Sequence, residues 1–183
     1  MANCCDTEYT FLGEKENIIS LWTDVKNAFA SNGRLHHIKE TLLPDVKEDF
    51  PSRGEIMYVD DEIFVHDDGK ADFSLATDTA WTACNELMRA ITKKYSVEMF
   101  YYSEEPGFEI FETNDKDGRY FSYRYVVDSS VDGIEYYETF DEVADVIEDL
   151  TGVKLKDISE AEEKLAPYNG LDTFLLIHEI EVV

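Results

Sequence analysis

Basic residues are scarce in this chain. Sixteen Lys and Arg stand against 41 Asp and Glu over 183 residues, a formal net charge of −25. Such a surface repels nucleic acid and anionic membranes and attracts basic partners. Cysteine is also scarce. Cys4, Cys5 and Cys84 form an odd set with two members adjacent, which is no disulfide framework. No C-x-x-C pair is present to nucleate a structural zinc site. Apolar runs are short, and none approaches the roughly 18 residues of a membrane span. The start, Met1 to Gly13, has neither the basic region nor the apolar core of a secretory signal, so a cytoplasmic protein is expected. Walker, Rossmann and G-x-S-x-G patterns are missing. His36, His37, His66 and His178 are too scattered for a metal-ligand motif. These absences point away from an enzyme: no catalytic residue, metal or cofactor is expected.

What is present is globular. Hydrophobic residues make up 44% and aromatics 13%, which a disordered acidic tail would lack. The length suits one medium domain or one domain with an appendage. Net charge bears on solubility and association rather than fold.

The stretch Val97 to Val127 carries three aromatic and β-branched runs. Glu-Glu-Pro106-Gly107 separates the first two, and Asn-Asp-Lys-Asp117-Gly118 the last two. That composition predicts an antiparallel meander with a tight hairpin at Asp117-Gly118. A strand is expected at Glu8–Leu12, closed by Gly13. Ile18, Leu21, Trp22, Val25 and Phe29 then form one helical stripe, which Asn32-Gly33 ends as a left-handed cap would. Leu35 to Leu43 suits a short helix before Pro44. Glu55 to Phe64 suggests a small acidic hairpin around Asp60-Asp61-Glu62, and Asp67-Asp68-Gly69 a turn. Ala71–Thr77 reads as a strand. From Thr79 the stripe Trp81, Cys84, Leu87, Met88, Ile91 and Tyr95 predicts a helix with Cys84 an inert core thiol. Thr139 and Glu142 spell a capping box, as do Ser159 and Glu162. Phe174–Val182 closes the chain as a strand, on a sheet edge or across a homodimer. The fold class is therefore α+β: a ferredoxin-like antiparallel sheet with helices packed on one face, an inserted acidic segment, and C-terminal helices. Residues 1–128 form the ferredoxin-like domain with its insertion at 34–70. Residues 129–183 form a C-terminal acidic helical segment and closing strand, packed on the same domain.

Met1, Ala2, Asn3, Cys5 and Gly13, then Thr79-Ala80-Trp81, then Tyr102-Ser-Glu-Glu-Pro106-Gly107 occur in one order along the chain. In these motifs the sequence resembles the YubB-type ferredoxin-like domain family of phage and plasmid proteins. Cys4 departs from it, standing where Trp is usual. The resemblance implies a ferredoxin-like fold and a mobile genetic element, and carries no catalytic residues with it.

Two patterns imitate known sites. Thr113 to Arg124 resembles a calcium loop, but its first and twelfth positions are Thr113 and Arg124 where an EF-hand needs carboxylates, so a hairpin turn is expected. Arg119 to Tyr125 alternates as in an RNA-recognition sheet, with Tyr120, Ser122 and Arg124 on one face and Phe121, Tyr123 and Tyr125 on the other. The acidic balance argues against direct nucleic-acid binding.

The reading these residues favour is an acidic interaction protein that binds a basic surface of a nucleic-acid-binding protein. In its sharp form it is a nucleic-acid mimic inhibiting a restriction or CRISPR effector. The surfaces expected to carry this are Asp60, Asp61, Glu62, Asp67 and Asp68, and the helix face of Asp145, Glu148 and Asp149. A metal-dependent enzyme using clustered carboxylates, or an accessory domain with a solvated acidic surface, are the alternatives.

Overall fold

Strand β1 (Cys4–Glu14) shows why its sequence makes a sheet. Cys5, Thr7, Tyr9 and Phe11 are buried, while Cys4, Asp6 and Glu8 between them are exposed. The computed structural model describes residues 3–170 and 172–183, so Met1 and Ala2, two positions of the family resemblance, lie outside the described residues. Packing divides the chain into two compact units, Met1–Ile110 and Phe111–Val183. That division falls ahead of the boundary drawn on charge at residue 128.

In the first unit, β1 leads into α1 (Lys15–Ser31) and α2 (Leu35–Leu42). Edge strands β2 (Gly54–Val59) and β3 (Phe64–Val65) precede β4 (Lys70–Ala80), α3 (Asn85–Tyr95) and β5 (Glu98–Glu105). The strand order is β5-β1-β4-β2, antiparallel throughout, with β3 also on β4. This is the ferredoxin-like arrangement expected. The helices cover one face: Ile18, Leu21, Val25, Leu35, Ile38, Leu87 and Ile91 form one core with Tyr9, Phe11, Phe73, Leu75 and Tyr101. Burying each of these large side chains contributes about 1.5–3 kcal/mol.

Several details differ from the sequence expectation. Segment 34–70 is no separate hairpin. β2 and β3 each pair with β4, at Ile56↔Thr77 and Phe64↔Asp72, as one edge interrupted at Asp60 to Ile63. The cap of α1 at Asn32 is extended (φ −164°), not left-handed. Gly33 is there for close approach: a Cβ would sit 3.2 Å from the Phe29 ring and from the Ile56 carbonyl. β4 runs on through Thr79 to Ala80, because Thr77 and Thr79 continue its buried alternation. Trp81 therefore lies outside α3, 45% exposed at φ 77°. Cys84 caps α3, buried as expected, and burial pushes its thiol up to about 11.

The second unit holds all of β6 (Ile110–Thr113) but its first residue, then β7 (Tyr125–Ser129), β8 (Gly133–Tyr137), α4 (Phe140–Thr151), α5 (Ala161–Leu165), β9 (Leu175–Glu179) and β10 (Glu181–Val182). β7 pairs with β8 and β9, not with β6, so the expected meander breaks after β6 and Asp117-Gly118 closes no hairpin. The closing strand also divides. β9 is the edge of the β8-β7-β9 sheet, whereas β10 runs parallel to β6. Val127, Val143, Ile147, Leu165 and Leu175 make this unit's core. The Thr139–Glu142 capping box is formed: the Glu142 amide donates to Thr139 Oγ1 and the Thr139 amide to Glu142 Oε2. The second box is shifted. Asp157 Oδ1 accepts the Ser159 amide, and Glu160 Oε2 accepts the Lys156 amide. Asp157 outcompetes Ser159 because its carboxylate is the stronger acceptor for orphan amides.

Candidate functional site

The face of the first sheet opposite the helices is built from the even residues of β1 and their partners. Asp6 pairs directly with Asp78 on β4 and with Glu104 on β5, and Asp78 pairs with Glu55 on β2. Directly paired residues share a face. Glu104, Asp6, Asp78 and Glu55 therefore form one row of carboxylates across four strands, about 4.8 Å apart from strand to strand. The next row is Tyr102, Glu8, Ala76 and Tyr58. Burial, then the charges of Asp78 and Glu104, raise the Asp6 carboxyl above its ordinary value. Burial, then Asp60, raise that of Glu8. Cys4 belongs to the same face. Its thiol is raised by a hydrogen bond with Asp78 and by nearby carboxylates, which argues against a nucleophilic role.

The residues singled out in the sequence take different parts. Asp60 is structural: its carboxylate accepts the Ser74 amide (2.5 Å) and the Tyr58 hydroxyl (2.5 Å), fixing the interruption between β2 and β3. Its carbonyl accepts the Trp22 indole N–H (2.9 Å). Asp61 meets Lys26 of α1 at 2.9 Å, with its side chain fully open to solvent. Glu62 is exposed in the same loop. Asp67 and Asp68 are exposed in the β3–β4 turn, where Asp68 accepts the Lys70 amide. These five thus flank β3 on the first unit. On the second unit, Asp145 and Asp149 are exposed on α4, and Glu148 pairs with Lys154 at 2.8 Å.

The calcium-like loop is also filled from within. Asp115 is 1% exposed and accepts the amides of Tyr120 (2.6 Å) and Phe121 (2.9 Å). Burial opposes its charge, but the amides of Phe121, Tyr120 and Arg119 and the Arg124 guanidinium outweigh that and hold the carboxyl below its usual range. Arg124 donates to the carbonyls of Phe121, Tyr123, Asp115 and Lys116. Arg119 to Arg124 is consequently irregular chain, not a strand, so its side chains do not alternate across a sheet as expected. The local side-chain bonds compete with the ladder and win. His178 is half-buried against Phe111, ring centroids 4.6 Å apart. Among the described residues, no group of three or more His, Cys, Asp or Glu is placed to hold a metal ion. No helix among them is long and apolar enough to cross a membrane.

The carboxylate row was missed in the sequence because its members, Asp6, Glu55, Asp78 and Glu104, lie on four separate segments of the chain. The signal was the alternation Cys4-x-Asp6-x-Glu8 and Tyr102-x-Glu104, acids at every second position of a strand.

No curated protein and no solved structure matches the chain. A family model described as a ferredoxin-like domain in Api92-like protein matches residues 54–147, from β2 to α4 and just over half of the chain. With the β5-β1-β4-β2 order beside that match, the chain belongs to the family of ferredoxin-like domains in Api92-like proteins.

Proposed function

We propose that this chain is a non-enzymatic acidic interaction protein that binds the basic surface of a nucleic-acid-binding protein. The YubB-type resemblance supports an origin in a phage or plasmid, acting in a host cytoplasm. The observation that carries the reading is the in-register row of Glu104, Asp6, Asp78 and Glu55 on a rigid sheet. Four charges over about 15 Å follow one another more sparsely than the 3.4 Å axial repeat of a single nucleic-acid strand. They still offer a basic channel a linear anion whose carboxylates are held by backbone pairing. Asp61, Glu62, Asp67 and Asp68 extend the negative surface of this unit, and Asp145, Glu148 and Asp149 that of the other. Steering by such a field makes association fast and salt-sensitive. The sharp form is a nucleic-acid mimic that inhibits a restriction or CRISPR effector.

The test is capture from host lysate at low and high salt, with wild type and with the triple variant D6N, D78N, E104Q. The expected result is a nucleic-acid-binding protein retained at low salt, released at high salt, lost by the variant, and competing with DNA for the chain. Capture that neither the variant nor charge reversal at Asp61, Glu62, Asp67 and Asp68 weakens would sink the reading.

A further inference from the structure

The geometry points to a second site on the first unit: a cavity that binds a nucleoside phosphate through Arg34 and Arg53 and shares Glu55 and Asp78 with the carboxylate row proposed above. The cavity measures about 450 Å³, within the range of small-molecule sites. Its lining brings together Arg34, His36 and Arg53 with Glu55, Asp78 and Ala80. The chain has only five arginines, and two of them meet here. Their environment is unlike that of Arg124, whose guanidinium is consumed by four carbonyls. Neither the Arg34 nor the Arg53 guanidinium has an ion-pair or hydrogen-bond partner among the described residues. Both arginines are exposed, so water solvates their guanidinium groups and neither is held away from a ligand by a protein partner.

The backbone around them is fixed. Arg34 faces Glu55 across an isolated antiparallel bridge, and the Arg53 carbonyl accepts the Ala80 amide (3.1 Å). Gly54 between them has φ 153°, and a Cβ there would lie 2.3 Å from the Asp78 carbonyl. Guanidinium groups bind phosphate bidentately, whereas His36 on the same lining has its Nε2 3.3 Å from Glu40 Oε1. The rest of the lining tells more. Glu55 and Asp78 repel a bare anion, so the ligand that suits the cavity also carries hydroxyl or amino donors. A ribose phosphate does, and carboxylates accept ribose hydroxyls in other nucleotide sites.

An aromatic pair stands outside the lining, one member next to it in the chain. Trp81 directly follows the lining residue Ala80, its amide donating to the Asn3 carbonyl (3.0 Å). It holds a positive φ that bulky residues rarely adopt, and it leaves its indole 45% exposed. Phe108, 55% exposed, lies beside it with ring centroids 5.6 Å apart. Strain retained to display a ring is a mark of function rather than of core packing. Such a pair is a platform for a base. Salt screens charges beyond about 8 Å at physiological ionic strength, so the repulsion a phosphate meets here is mainly that of Glu55 and Asp78.

The experiment titrates the full chain with AMP, GMP, CMP and UMP, and with ribose 5-phosphate and inorganic phosphate, by calorimetry and tryptophan fluorescence. One-site saturation by at least one nucleotide is expected, about tenfold tighter than ribose 5-phosphate. Quenching follows Trp81, because Trp22 is partly buried with its indole N–H bonded. R34Q and R53Q each weaken binding about tenfold at an unchanged melting temperature. W81A weakens nucleotide binding and leaves phosphate binding as it was. Absence of saturation by all four nucleotides at about 1 mM, a weak limit of affinity, overturns the proposal. So does binding that R34Q and R53Q leave unchanged, or inorganic phosphate binding as tightly as the nucleotides.

Discussion

Replacing Asp6 by Asn makes the protein more stable at neutral pH. Asp6 lies directly between Asp78 and Glu104, so it takes part in two like-charge cross-strand pairs. Two unit charges about 5 Å apart repel by about 0.8 kcal/mol in a water-like dielectric. Cross-strand pairs contribute roughly 0.2–1 kcal/mol each, and exposed charges lie at the lower end because solvent screens them. D6N keeps the shape and removes both repulsions, so a gain of about 0.5–1.5 kcal/mol is expected, or roughly 2–6 °C in Tm. The sign with pH follows from the raised Asp6 carboxyl. Between its unfolded and folded pKa the native state binds the extra proton, so wild-type stability falls as pH rises through that window. The D6N gain is therefore full at pH 7 and gone well below the unfolded value of about 3.9. Urea unfolding at both pH values and at two salt concentrations measures it, with m unchanged between variants. A D6N protein that is less stable than wild type at pH 7 and low salt would refute the in-register row, and with it the main support for the proposed interaction surface.

Asp115→Asn removes the carboxylate charge that strengthens two buried amide hydrogen bonds and is expected to cost about 1.5–3 kcal/mol by denaturant unfolding. Because the Asp115 carboxyl is depressed, its contribution is present above its unfolded value and is lost as pH falls through the folded one. A variant as acid-sensitive as wild type would contradict that. Thr77→Val deletes a buried hydroxyl that has no hydrogen-bond partner among the described residues, and thermal unfolding should show a gain of about 0.5–2 kcal/mol. Thr139→Ala removes the α4 cap and should cost about 0.5–2 kcal/mol, with the loss confined to hydrogen-exchange protection of the second unit if the units open separately.

Much of the first unit was legible because its signals are local. The stripe from Ile18 to Phe29 and the β-rich run of β5 each declare a period within a dozen residues. Of the acids singled out by charge, Asp61, Glu62, Asp67, Asp68, Asp145 and Asp149 are exposed, whereas Asp60 and Glu148 are half-buried and paired within the chain. Local composition failed where a side chain competes with the ladder. The Tyr120–Arg124 run alternates like a strand, yet Asp115 and Arg124 tie up its amides and carbonyls. It failed too at Trp81, which fits the helical stripe by spacing but is displaced by the extra length of β4.

Chain chemistry alone determined the ferredoxin-like class, the cap at Thr139, and the sign of the surface, since each is written in residue types and local patterns. Register was decided only in three dimensions. Asp6, Asp78 and Glu104 become one row, and Arg34 and Arg53 meet at one cavity, because pairing across β5, β1, β4 and β2 brings distant segments to the same level of the sheet. A shift of one residue in any of these pairings would turn that strand's row members to the helix side.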